Sequence, residues 1–402
     1  MSGVDPKLFL VIAGEASGDL LAAELVAALR VDPVVRGWPF APRFCGAGGP
    51  RMAAAGVELA FDLTRHAVVG FTDVLRGLRQ FHRLLNALVD LACVRQPDVV
   101  VCVDFSGFNR RWVRALRKRL DRPASWFRNW RPRIVQYVSP QVWASRPGRA
   151  RGLARDLDLL LCLFSFEKEW YAARVPELRV EWVGHPLLDR HGIMDGVSDA
   201  GWSGAEGKRR VVVLPGSRDG ELRRHMPVLM AALRRLGSEH ALAVRLVAPD
   251  EARARLARAL GAGELPFVKV EVGGVGEALR VAELALASTG TVTLECACYG
   301  VPTVALYRTS WGTYHVGRHL VNVPFLSMPN LLAGEELFPE FIQGQATPAN
   351  LARAAGAWLS DPERCRVLRE KLRGVVASLG GPGASARAAG AIARMIDAEG
   401  LR

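Results

Sequence analysis

The chain has 402 residues, half of them hydrophobic, and 53 Lys and Arg against 40 Asp and Glu give it a net charge of +13. That length exceeds one ordinary core and predicts two domains of roughly 150–200 residues, while no uncharged apolar run approaches the roughly 18 residues a spanning helix needs. Seven cysteines with no CxxC pair read as reduced packing thiols of a cytosolic protein.

The apolar run Leu8–Ala13 ends in Gly14-Glu15 without a cleavage-type site, so it reads as a first strand, not a signal peptide. The loop Gly14-Glu15-Ala16-Ser17-Gly18-Asp19 and a helix over about 20–30 follow. Strand, small-residue loop and helix N-terminus make a polar-ligand site, because unpaired backbone N–H groups point out of such a turn. The loop is not GxGxxG and carries two acids, which disfavours a dinucleotide fingerprint. A second glycine-rich turn, Gly46-Ala47-Gly48-Gly49-Pro50-Arg51, follows the short strand Arg43–Cys45. From Val68 to Leu91, apolar residues recur at helical spacing with arginines interleaved. That is an amphipathic helix packed on a sheet, or a face that dips into a membrane surface.

The run Val99–Val103 suits a strand buried on both faces of a parallel sheet, and it stops on Asp104. Ligands of open parallel sheets bind at the carboxyl ends of strands, so Asp104 is a candidate for chemistry. The competing reading makes it the cap of a helix that begins near Asn109. Between Arg110 and Arg155 stand 14 Lys and Arg against one acid, Asp121, so this stretch carries as much net charge as the whole chain. Such a patch attracts nucleic acid, anionic lipid or phosphorylated substrate. Trp126-Phe127-Arg128-Asn129-Trp130-Arg131 within it suits a bilayer interface, and the same residue types would stack on bases. Strands over Ile134–Val138, Leu157–Leu163 and Val180–Val183 complete a first unit. Asp156-Leu157-Asp158 spells DxD but runs straight into an apolar strand, which makes it a helix-to-strand junction.

Residues 1–188 thus form a first α/β domain and 189–208 a linker. Residues 209–378 form a second α/β domain, and 379–402 a helix that could pack on either. In the second domain the strand Arg210–Leu214 runs into Pro215-Gly216-Ser217-Arg218, and Glu221 opens a helix. Strands over Ala243–Ala248, Val268–Val270 and Leu284–Ala287 follow. Ser288-Thr289-Gly290-Thr291 then leads into a helix carrying Thr293 and Glu295. This hydroxyl-rich turn at a helix N-terminus is a phosphate cradle without a Walker lysine.

Nine motifs in order, over most of the chain from Ala13 to Glu336, resemble the lipid-A-disaccharide synthase family. They are GEASGD (Gly14–Asp19), GGPRM (Gly48–Met52), VDFSGFN (Val103–Asn109), YVSPQVWA (Tyr137–Ala144), FSFEKEWY (Phe164–Tyr171), VGHPLLD (Val183–Asp189), LPGSR (Leu214–Arg218), TGTVTLE (Thr289–Glu295) and PNLLAGEE (Pro329–Glu336). The resemblance implies an α/β protein of GT-B architecture, with two Rossmann-like domains facing across a cleft. It also implies inverting transfer with no metal and no cofactor. The donor would be UDP-2,3-diacylglucosamine, the acceptor 2,3-diacylglucosamine 1-phosphate (lipid X), and the product the β(1→6) disaccharide 1-phosphate. Asp104 matches the family's proposed base. Arg218, Ser288, Thr289, Gly290, Thr291 and Glu295 would hold UDP, Asn330 lies in a motif near the donor, and Glu15 and Ser17 would position the acceptor.

Both sugars carry acyl chains, so Val68, Val69, Phe71, Leu75, Leu78, Trp126, Phe127 and Trp130 are expected to face an anionic membrane, on the cytosolic side of the inner membrane. Nucleic acid is not an expected partner, since it leaves the second phosphate turn without a purpose. Family members can dimerise through C-terminal elements, which makes a homodimer an open expectation. The alternative keeps the fold and changes the reaction, to another UDP-sugar transferase or a UDP-sugar 2-epimerase. The chain departs from the family pattern where Phe105-Ser106-Gly107 follows Asp104, which leaves no second carboxylate there, and where Ser145 stands at a commonly aromatic position.

Overall fold

The computed structural model of the chain describes residues 5–64, 74–121, 130–191, 207–312, 314–315, 321 and 323–400. These residues form two compact units, one of residues 1–189 with 380–402 and one of residues 190–379.

The first unit is built on seven parallel strands: β1 (Leu8–Ala13), β2 (Arg43–Gly48), β3 (Glu58–Asp62), β4 (Val99–Val103), β5 (Arg133–Tyr137), β6 (Leu159–Cys162) and β7 (Val180–Trp182). Their order is β3-β2-β1-β4-β5-β6-β7. The β-branched run of β4 is buried at every position, as expected of a central strand with helices on both faces. The order reverses between β1 and β4, where Ala13 pairs with Val103. At such a switch point the loops on either side diverge and leave a crevice at the carboxyl ends.

The second unit repeats the pattern with β8 (Arg209–Leu214), β9 (Leu242–Ala248), β10 (Val268–Val272), β11 (Leu284–Ser288), β12 (Thr303–Tyr307) and β13 (Glu340–Ile342). Its order, β10-β9-β8-β11-β12-β13, puts the switch point between β8 and β11.

Three elements differ from the sequence reading or narrow it. The helix after β4 spans Ser106–Leu120, with Phe105 at its N-cap. It therefore starts three residues earlier than expected, and Asp104 is not its cap. Its buried face is Phe108, Trp112, Val113 and Leu116, each worth roughly 1.5–3 kcal/mol of burial, while Arg111, Lys118 and Arg119 are exposed. The helix Val74–Arg95 buries Leu85, Leu88, Val89 and Ala92 in the same core, so from residue 80 onward its apolar stripe is packing. Val68, Val69, Phe71, Trp126 and Phe127 lie outside the described residues, as do the side chains of Leu75 and Leu78. Trp130, expected to face the membrane, is half-buried. Its indole packs against the core and donates to the Pro97 carbonyl at 2.8 Å, so the ring anchors the chain just before β5.

The last helix, Ala384–Gly400, belongs to the first unit, against the helix Ala16–Val31. Asp189 caps it by accepting from the N–H groups of Gly383, Ala384 and Ser385 at 2.5, 3.1 and 3.1 Å. Asp156 and Asp158 do sit at a helix-to-strand junction, Asp156 paired with Arg114 and Arg155 and Asp158 with Arg117 and Arg133. Among the described residues no helix is long and apolar enough to cross a membrane.

Candidate active site

In the first unit, the site grows from the ends of β1 and β4. Asp104 has φ +46° and Phe105 φ +43°, two consecutive side-chain-bearing residues in the left-handed region, each costing about 1–3 kcal/mol. The surroundings over-determine that turn. The Asp104 N–H donates to the Tyr137 carbonyl at 2.8 Å, and the Asp104 carbonyl accepts from the amides of Asn109 at 2.8 Å and Gln136 at 3.2 Å. Both amide side chains are buried, so their hydrogen bonds hold in a low dielectric. Asp104 itself is half-buried. These bonds fix the backbone of Asp104 at the carboxyl end of β4.

Gly14, at the end of β1, lies under the Phe105 ring; a Cβ there would come within 2.1 Å of the ring. Phe105 also stacks on Phe108 at 5.4 Å. The departure from the family pattern at this position is thus a packing piece locked against the GEASGD loop. Glu15 is the half-buried N-cap of the helix Ala16–Val31, and Ser17 is exposed in its first turn. Asp19, in the same motif, is only 2% exposed and accepts from the N–H groups of Gly49, Arg51 and Met52 at 2.7, 3.0 and 3.1 Å. The GEASGD and GGPRM motifs are therefore two halves of one clamp, with Asp19 capping the short helix Pro50–Ala54.

A third tie was not anticipated. Glu167 is 2% exposed and accepts from the Trp143 indole at 3.0 Å and the Phe164 N–H at 3.2 Å. Burial pushes its carboxyl up to about 7 against these hydrogen bonds. Beside it Ser139 donates to Tyr171 at 3.2 Å. YVSPQVWA and FSFEKEWY are joined by these contacts.

The second unit gathers Ser288, Thr289, Gly290, Thr291 and Glu295 at the end of β11. Gly290 has φ +144°, a conformation that glycine adopts without strain, and it caps the helix Thr291–Cys298. The Thr289 N–H is spent on the Leu306 carbonyl at 3.1 Å, and the Thr293 hydroxyl donates to the Gly290 carbonyl at 2.7 Å. The first-turn N–H groups of Thr291 and Val292 have no intrahelical acceptor and remain for an anion. Glu295, one turn in and half-buried, is pushed up to about 7 by burial, opposed by the charge of Arg190.

At the neighbouring end of β8, Glu221 accepts from the N–H groups of Ser217 at 3.1 Å and Arg218 at 3.4 Å, which closes the LPGSR turn. The Arg218 side chain is two-thirds exposed, with a long 3.7 Å contact to Glu221. His225, overlooked in the sequence, is fully buried beneath the turn. Its Nδ1 lies 2.7 Å from the Pro215 carbonyl, and its Nε2 accepts from the Arg308 N–H at 3.0 Å, which assigns the neutral Nδ1–H tautomer. Burial lowers its basicity, so it ties the ends of β8 and β12 as an uncharged strut.

Asn330, expected near the donor, lies in the helix Met328–Ala333. It is fully buried, donates to the Phe338 carbonyl at 2.7 Å and to Glu340 at 2.8 Å, and accepts from the N–H groups of Leu337 at 2.9 Å and Phe338 at 2.8 Å. Its amide is consumed in shaping the PNLLAGEE loop. Among the described residues no group of three His, Cys, Asp or Glu is placed to hold a metal ion.

Each unit thus gathers polar groups at its own switch point, a carboxylate at the end of β4 in the first and hydroxyls at a helix N-terminus after β11 in the second. The family model described as lipid-A-disaccharide synthetase matches residues 9–391. The chain belongs to the lipid-A-disaccharide synthase family. The family member of Geobacter metallireducens is 36% identical over 397 residues, covering 97% of each chain. Among solved structures, the calicheamicin glycosyltransferase CalG4 matches with a TM-score of 0.57 at 17% identity, covering 98% of this chain and 99% of that one. A putative UDP-N-acetylglucosamine 2-epimerase of Listeria monocytogenes matches with a TM-score of 0.59 at 14% identity, covering 98% and 97%. At these identities the likeness is of fold: the GT-B architecture, with parallel sheets of seven and six strands. The reaction class follows the family and not the epimerase-like fold, so this lipid-A-disaccharide synthase homologue is a glycosyltransferase.

Proposed function

We propose that this chain transfers 2,3-diacylglucosamine from UDP-2,3-diacylglucosamine to the 6-hydroxyl of lipid X, with inversion and without a metal ion, on an anionic membrane surface. A sugar hydroxyl is too weak an acid to ionise beforehand, so its proton moves to a positioned carboxylate as the bond forms. Asp104 takes that proton. The acceptor O6 bonds to the anomeric carbon of the donor, the carbon–oxygen bond to UDP breaks, and UDP leaves with the electron pair. Attack from the face opposite UDP turns the α-linked donor into a β-linked product.

The leaving charge falls to the first-turn N–H groups of the helix Thr291–Cys298, to Ser288, and to Arg218, whose exposed guanidinium can swing onto a phosphate bidentately. Glu295 accepts from the ribose hydroxyls. Glu15 and Ser17 position the acceptor. The segments containing Val68, Val69, Phe71, Leu75, Leu78, Trp126 and Phe127 meet the bilayer as a peripheral surface. The family's C-terminal dimerisation is carried over with the rest and is checked by light scattering in detergent.

The observation that carries the proposal is the strained, hydrogen-bonded turn at Asp104. The test is Asp104→Asn, because asparagine tolerates the left-handed region as well as aspartate does and loses only the proton acceptor. With EDTA present, wild type is expected to form disaccharide and UDP while the variant melts within about 2 °C of it and loses at least about 10²-fold in kcat. A variant that keeps more than a tenth of wild-type turnover removes Asp104 as the base. Wild type inactive on this pair, or stopped by EDTA, overturns the reaction or its metal independence.

A further inference from the structure

Beside the Asp104 turn, the first unit holds a cavity of about 240 Å³ lined by Ser106, Gly107, Arg110, Gln141, Arg146 and Arg149, among others. Arg110 stands one turn after Ser106 on the helix Ser106–Leu120, so the two share a face. Arg146 and Arg149 come from the opposite wall, where the helix Val142–Ser145 passes into the short turn Pro147–Arg149. Three guanidinium groups thus converge on one small space. Among the described residues none of the three has a carboxylate at ion-pair distance. Asp156, whose charge acts on Arg110, is engaged by Arg114 at 3.1 Å and Arg155 at 2.9 Å. Burial, and after it repulsion from Arg114, Arg111 and Arg146, holds Arg110 below its ordinary basicity; burial and then Arg110 and Arg146 do the same to Arg149.

The size of the cavity limits what it can take. Pockets for nucleotide- or drug-sized ligands run to roughly 300–1,000 Å³, so this one suits a single anionic group with a few attached atoms. Its place says more. Ser106 lines the cavity and is two residues from Asp104. In a pyranose, the anomeric carbon and the carbon that bears C6 flank the ring oxygen. A group that takes the proton from O6 therefore has the anomeric substituent within one sugar ring of it. The Gly107 and Ser106 backbone at the start of the helix adds partial positive charge on the same side.

We infer that this cavity binds the phosphomonoester of the acceptor sugar, so that Arg110, Arg146 and Arg149 select an acceptor phosphorylated at its anomeric position and present its O6 to Asp104. The inference rests on the transfer proposed above and adds a specificity subsite to it. The basic stretch Arg110–Arg155 then has two uses, an outward helix face and this inward anion pocket. A phosphate on an anionic phospholipid shares the same chemistry, and the experiment separates the two sources.

Wild type, Arg146→Ala, Arg149→Ala and Arg146→Lys would be assayed in neutral detergent with lipid X and with the same diacyl sugar lacking the phosphate. The quantity read is the ratio of kcat/KM for the phosphorylated over the unphosphorylated acceptor. Each alanine variant is expected to lower that ratio by about tenfold or more, as loss of a charge-assisted contact does, with Arg146→Lys recovering part of it. A ratio unchanged in both alanine variants overturns the inference. So does a wild type that does not distinguish the two acceptors. Binding to vesicles of phosphatidylcholine with phosphatidylglycerol gives the second arm: variants that lose vesicle binding at an unchanged ratio assign the pocket to a phospholipid headgroup instead. Should wild type form no disaccharide, the proposed reaction fails, and equilibrium dialysis with labelled lipid X still decides the pocket. Retention of lipid X by wild type and its loss in both alanine variants supports the inference, and equal retention sinks it.

Discussion

Glu295 gives the sharpest test of the proposed donor site, because burial and its proposed role ask for opposite protonation states. Burial holds its carboxyl near 7 in the free protein, yet accepting two ribose hydroxyls requires the carboxylate. Bound hydroxyls favour the ionised form and pull the pKa back down, so donor binding releases a proton over the range in which the free group is protonated. The ionised fraction of a group near 7 is roughly one-tenth at one pH unit below and nine-tenths at one unit above. Affinity for a UDP-sugar should therefore rise about tenfold from pH 6 to pH 8 and then level off. A UDP-sugar is the right probe because its pyrophosphate diester does not titrate in this range. Calorimetry in buffers of different ionisation enthalpy would read both Kd and the proton released. Glu295→Gln should bind more weakly at pH 8 and show a flat profile.

Stability moves the other way. A carboxyl raised from an ordinary value of 4.5 to about 7 gives the folded state its full benefit below 4.5 and loses it as pH rises through 7. The difference is up to about 3 kcal/mol. Glu295→Gln should therefore melt at or above wild type at pH 8, and gain nothing over it at pH 4.5. A wild-type Kd independent of pH, or the same pH dependence in the glutamine variant, would refute the reasoning.

Other perturbations probe the scaffolding. Asn330→Ala strips the buried Leu337 and Phe338 N–H groups of their acceptor, at about 1–3 kcal/mol each; urea unfolding should show a loss of about 2–5 kcal/mol, and unchanged stability with only a raised donor KM would restore a direct ligand role. Gly14→Ala drives a methyl into the Phe105 ring, at about 1–3 kcal/mol of overpacking, and should lower kcat by displacing the Asp104 turn. Adding Phe105→Ala should recover part of that activity, and a fully active Gly14→Ala enzyme would show that the turn does not depend on this contact. Asp19→Ala leaves three N–H groups of the GGPRM loop unpaired and should cost about 2–4 kcal/mol in thermal unfolding, with Asp19→Asn in between.

The central strands were legible because their chemistry is local. Val99–Val103 is apolar at every position, and only a strand covered on both faces uses such a run. Strands β3 and β13 were missed for the converse reason: they are short, at the edges and partly exposed, and carry no apolar run. Asp104 was legible as a residue at a strand end, but its turn was not, since neither Asp104 nor Phe105 announces a left-handed backbone as a glycine would. Polar residues were the least legible. Nothing near Asn330 in the sequence shows which carbonyl and N–H groups it satisfies, because those belong to residues seven and eight positions away. His225 was passed over because a lone histidine in an amphipathic helix gives no sign of what it bridges.

The chain leaves the first unit after Asp189 and returns to it only at Gly380. The helix that completes this unit, capped by Asp189 and tied through Arg387 to the Val183 carbonyl at 2.8 Å, is made only after the whole second unit. Domains generally fold as units in the order they emerge. Here the unit bearing Asp104 must wait, with the apolar flank of the helix Ala16–Val31 uncovered, while the whole second unit is translated. The second unit can close first and independently. Ribosome-bound chains stopped before residue 380 should thus carry a protease-resistant second unit joined to a first unit that is still open to cleavage, so that the unit holding Asp104 closes only once the helix Ala384–Gly400 has been made.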